Sequence, residues 1–105
     1  MNKYSLWQLV IVSTLMVGGP AIAGGNVDAG RDKAATCAGC HGVEGEGMGE
    51  NPRLAGLDRE VLASSMQEYK SGERSGPMMS MLMQALSDED IADLAAYYAS
   101  LSGEE

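Results

Sequence analysis

The sequence predicts one small all-α domain, built from three main helices and glycine-rich loops, behind an export signal. Three observations carry this. Three stretches place apolar residues at helical spacing between capping residues. No stretch alternates apolar and polar residues as a half-buried strand would. The longest link between helices is too rich in glycine to be anything but a loop.

The chain starts with a segment that reads as a signal peptide, residues 1–23. Lys3 supplies the positive start, Leu6 to Val17 form a short apolar run, and Gly18, Gly19 and Pro20 break it. The "AIA" of Ala21 to Ala23 then matches the small-residue cleavage rule. The run is shorter than the ~20 residues a spanning helix needs. Cleavage would leave residues 24–105 as the folded domain, free in the periplasm with no stable membrane insertion.

The first expected helix runs from about Asp28, as N-cap, to Cys40, with Ala34 and Ala35 as strong helix formers. The run from His41 to Gly56, "HGVEGEGMGENPRLAG", holds five glycines and forms a long loop. Loops of that kind in a small domain tend to wrap something. The second helix, "DREVLASSMQEYKSG", is capped by Asp58 and stopped by Gly72. Leu62, Ser65, Met66 and Tyr69 share one face of it. Next comes "RSGPMMSMLMQAL", expected as a loop, with four methionines in six residues. The third helix opens at Ser87 and Asp90, a capping-box pair in an acidic first turn. Its stripe is Ile91, Leu94, Ala95 and Tyr98, flanked by Tyr97 and Leu101, and Gly103 closes it.

Composition sets limits on function. Net charge is −8 over the full chain, which argues against nucleic acid and anionic membrane surfaces as partners. It permits electrostatic steering toward a basic patch on a partner. The chain has no Phe, and its only Trp lies in the signal. A core so poor in large side chains calls for a staple or a cofactor. A disulfide between Cys37 and Cys40 would close too small a loop to help much.

The chemistry concentrates in "CAGCH". Cys37, Cys40 and His41 are the only thiols and the only imidazole of the chain. A thiol–disulfide site would begin a helix after a strand; here the cysteines end a helix. A closed zinc site lacks a fourth ligand. Cys-x-x-Cys-His is the attachment signature of a c-type haem. Thiols one helical turn apart can meet the two vinyl groups, and His41 then lies beneath the iron as proximal ligand. With no second histidine, the distal ligand is sought among the methionines. Met66 belongs to a packing stripe, and Met48 lies too near the proximal loop. Met78, Met79, Met81 and Met83 remain open on spacing alone.

"CAGCH", "HGVEGEG", "PRLAG", "YKSGER" and "PMMSMLMQALSDEDIADLAAYYASL" together cover nearly the whole exported segment. This pattern resembles a bacterial class I cytochrome c of the short soluble periplasmic type. The resemblance implies the small cytochrome c fold around one covalent haem c, with Met79 as the distal ligand and Met78 and Met81 next in line. It implies that the Pro52 carbonyl accepts a hydrogen bond from His41, and that Gly30 and Tyr97 meet where the first and last helices cross. The sequence departs at "GLDRE", where many relatives carry a glutamine after "LAG". The implied function is one-electron transport by a protein that is not an enzyme. A haem enzyme or ligand sensor with an opening distal site, and a fixed relay subunit of a larger dehydrogenase, are the alternatives.

Overall fold

In the computed structural model, which describes residues 24–102, five helices follow one another. They are α1 (Val27–Lys33), α2 (Ala35–His41), α3 (Arg59–Ser71), α4 (Pro77–Gln84) and α5 (Asp88–Ser100). The described residues contain no strand, only an isolated bridge between Met48 and Asn51. The expected signal peptide and Gly103 lie outside the described residues.

Helix α5 is the element on which α1 and α3 pack. Its capping box forms as the sequence predicts. Ser87 accepts from the Asp90 amide and Asp90 reaches back to the Ser87 amide, each at 3.0 Å. Ile91, Leu94, Ala95 and Tyr98 are each at most 2% exposed. Burying a side chain the size of Ile or Leu contributes roughly 1.5–3 kcal/mol, so this stripe anchors the core. Helix α3 lies along one side of it, started by Asp58, which accepts from the Glu60 and Val61 amides. Gly72 ends α3 in the left-handed conformation.

Two expected boundaries differ. The helix expected from about Asp28 to Cys40 is two helices. Asn26, not Asp28, caps the first, accepting from the Ala29 amide at 2.8 Å. At Ala34 the backbone tightens: the Cys37 amide bonds the Ala34 carbonyl three residues back, at 2.8 Å. No local residue enforces that break. Ala34 itself stays buried in the core. The methionine-rich segment, expected as a loop, is helix α4. Pro77 starts it at the first turn, where a missing amide hydrogen costs nothing. Ser80 then donates to the Tyr69 carbonyl at 2.9 Å, tying α4 to α3.

Helices α1 and α5 cross at Gly30. A β-carbon built there would lie 2.1 Å from the Asp93 carbonyl oxygen and 2.7 Å from Tyr97 Cβ. The contact between Gly30 and Tyr97 that the resemblance implies is thus present. Arg31 lies over the Tyr97 ring, 5.6 Å from its centre. A charged clamp locks the same crossing. Lys33 of α1 pairs with Asp90 at 2.8 Å and with Asp93 at 2.7 Å. Asp93, only 3% exposed, also accepts from the Asn26 amide at 2.7 Å. Lys33 and the Ser87 amide pull Asp90 down to about 2 from an ordinary 3.8, and Lys33 is raised in return.

Two outcomes are expected. Gly30→Ala should cost about 1–3 kcal/mol in denaturant unfolding, because backbone rather than a flexible side chain blocks the methyl. Asp90 has a depressed folded-state value, so its contribution is full above about pH 4 and fades as pH falls through about 2. The stability gap between wild type and Asp90→Asn, read from thermal melts between pH 6 and 2, should therefore narrow on acidification.

Candidate cofactor site

Helix α2 carries the chemistry at its C-terminal end. Cys37 and Cys40 stand three residues apart, one turn of helix, and both are free thiols. Cys37 is half-buried and Cys40 exposed. Burial pushes the Cys37 thiol up, so this is not the setting of an activated thiolate. No three histidine, cysteine or acidic side chains among the described residues converge to hold a metal ion.

His41 ends the helix and is buried, 8% exposed. Its Nδ1 lies 2.8 Å from the Pro52 carbonyl oxygen. A carbonyl can only accept, so Nδ1 carries the hydrogen and Nε2 keeps a free lone pair. That is the tautomer a metal-ligating histidine needs. Proline at 52 leaves only a carbonyl to offer at that position.

The loop between Gly42 and Leu57 holds this carbonyl in place. The Gly47 amide bonds the His41 carbonyl at 2.7 Å, and Asn51 Nδ2 donates to the Cys40 carbonyl at 2.9 Å. Met48 and Asn51 bond each other across the isolated bridge. The Leu54 and Ala55 amides converge on the Gly45 carbonyl at 2.7 and 3.0 Å. The Gly56 amide bonds the Tyr98 carbonyl of α5 at 2.9 Å. The loop thus wraps the end of α2 and closes onto α5. Glu46 folds back to accept from the Glu44 amide, and backbone amides hold its carboxyl below the usual range.

Cys37, Cys40 and His41 lie together on the last turn of α2, with Pro52 against His41. The methionines sort by exposure. Met78 and Met81 are 61% and 62% exposed, on the outer face of α4. Met83 is buried in the core. Met79 is half-buried, on the face it shares with Leu82, Met83 and Leu86. Asn51 and Gly45 had no place in the sequence reading. Their roles depend on partners that only the folded loop supplies.

The residues fit a covalently attached haem on three counts. Both thiols are free on one turn, the imidazole commits Nδ1 and not Nε2 to the Pro52 carbonyl, and a sealed hydroxyl without a hydrogen-bond partner (Tyr98) lies in the cluster on which Cys37 packs.

Residues 27–102 match a family model described as cytochrome c. The chain is 46% identical over 80 residues to cytochrome c-554(548) of Halomonas halodenitrificans, covering 72% of this chain and 96% of that protein. It is 43% identical over 101 residues to cytochrome c4 of Pseudomonas aeruginosa, covering 95% of this chain and 49% of that one. The crystal structure of reduced recombinant cytochrome c4 from Pseudomonas stutzeri matches with a TM-score of 0.72 at 34% identity. That match covers 76% of this chain and 47% of the other. The chain therefore spans nearly all of the first relative and about half the length of the cytochrome c4 proteins.

Gly45 combines a φ of +71° with close approach to Tyr98: an added β-carbon would sit 2.7 Å from ring carbon Cε1. Gly45→Ala should cost about 1–3 kcal/mol, read from denaturant unfolding of the haem-loaded protein.

Proposed function

The chain belongs to the cytochrome c family, and on that premise we propose an exported monohaem electron carrier whose iron is held by His41 and Met79. The carrying observation is the end of α2. Two free thiols one turn apart precede a buried imidazole whose Nδ1 is committed to the Pro52 carbonyl. Cys37 and Cys40 would form the thioether links, and His41 Nε2 would face the iron. When bound, the haem supplies one-electron chemistry between ferric and ferrous iron.

Met79 is favoured over its neighbours by its place on α4. Its half-buried face points the same way as buried Met83, whereas Met78 and Met81 are directed to solvent. A thioether there would close the second axial position and raise the reduction potential. With both axial positions closed the protein carries electrons and transforms no substrate. The residues around the site set burial, ligands and access.

Removal of residues 1–23 would release the carrier into the periplasm, where the acidic surface suits redox partners with a basic docking patch. No helix among the described residues is long and apolar enough to cross a membrane.

One preparation tests the reading. The full-length gene is expressed in a host that attaches haem in its periplasm. Intact mass should give a chain beginning at Gly24 plus one haem, and the haem should stay with the denatured protein. Ferric wild type should show the weak long-wavelength band of a methionine–iron bond. Met79→Ala should lose it and Met81→Ala should keep it. The reverse pattern would reassign the ligand, retained haem with no band in wild type would indicate an open distal site, and absence of haem would end the haem reading.

A further inference from the structure

Tyr98 is the largest fully buried side chain among the described residues, 2% exposed in the last turn of α5. Its backbone carbonyl receives the Gly56 amide, its ring lies against Gly45, and it tilts against Tyr97 with ring centres 5.0 Å apart. These contacts need only an aromatic ring. The hydroxyl is a different matter. It is sealed from solvent and has no hydrogen-bond partner. A buried hydroxyl is costly to leave unpaired, so one aimed at a cofactor site calls for an explanation.

Cys37 packs against the buried cluster to which Tyr98 belongs, and it is the side chain that acts most on the hydroxyl. The two side chains interact in the interior, and the same packing that buries Tyr98 half-buries the Cys37 sulfur. Burial, with Cys37 second, drives the phenol's ionisation far above its ordinary range, so the hydroxyl keeps its hydrogen.

The chemistry of attachment decides the direction of this contact. A free thiol can donate as well as accept, and so can a phenol, so neither group commits the other. A thioether has lone pairs and no hydrogen. Once Cys37 is linked, its sulfur can only accept, and Tyr98 is left as the only possible donor of the pair.

We propose that Tyr98 is a tuning residue of the electron carrier: its hydroxyl donates a hydrogen bond to the thioether sulfur of Cys37. The inference rests on the haem reading above. The positive end of the O–H dipole then points toward the macrocycle and favours the more electron-rich ferrous state. The bond also gives the orphaned hydroxyl a partner in the loaded protein.

Tyr98→Phe is the test, since it deletes the hydroxyl and keeps the ring. Wild type and variant are produced haem-loaded, and their midpoint potentials are measured by redox titration. The expected result is a lower midpoint in Tyr98→Phe. A hydroxyl serving only as general polarity would act in the other direction, because removing it makes the surroundings less polar and raises the midpoint. An unchanged or raised midpoint overturns the proposal.

A second readout needs no variant. In the diamagnetic ferrous protein, proton NMR should show a slowly exchanging Tyr98 hydroxyl proton with a through-space contact to the Cys37 β-protons. A hydroxyl proton without that contact also overturns the proposal. Failure of the premise looks different: wild type would then carry no covalent haem.

Discussion

Everything else in the fold depends on how closely α1 can approach α5. The missing side chain at Gly30 lets the two backbones meet at the Asp93 carbonyl, and the break at Ala34 then sets where α2 points. The position of Cys37, Cys40 and His41 is therefore fixed from the far end of the sequence. The Lys33 clamp serves the same contact, since it joins α1 to two carboxylates of α5. The charge network and the cofactor site share a single helix crossing.

The loop after His41 is organised by backbone hydrogen bonds rather than by side-chain packing. Its glycines let carbonyls and amides turn inward, toward His41, Cys40 and each other. The result is a collar tied to α5 by the Gly56 amide on the Tyr98 carbonyl. Tyr98 thereby meets the collar twice, through its carbonyl at Gly56 and through its ring at Gly45, and Cys37 packs against the cluster it belongs to. A chain with few large side chains places one of them where these constraints intersect.

What could be read from the sequence was local. The caps at Asp58 and Ser87, the stripe of α5 and the attachment signature lie within a few residues of the groups they act on. Helix α4 was locally legible too, since Met79, Leu82, Met83 and Leu86 already have helical spacing. Its opening by glycine and proline, and the interest of its methionines as ligands, concealed the period. Other features were beyond local reading. Alanine at 34 favours helix, yet tertiary packing breaks the helix there. Lys33 and Asp93 are separated by 60 positions, and nothing in either neighbourhood announces the pair. The orphan hydroxyl of Tyr98 reads, from sequence, as one more member of an apolar stripe.

The bond from His41 to the Pro52 carbonyl has a kinetic consequence. Electron transfer is slowed by whatever nuclear rearrangement must accompany the change of charge. Here the imidazole is already oriented before any electron arrives, held at Nδ1 by a carbonyl that a collar of backbone hydrogen bonds keeps in place. As the proposed iron ligand, it would have little left to reorganise between oxidation states. A hydrogen-bond network that looks like a folding feature would then also serve the repeated exchange of single electrons in the proposed carrier.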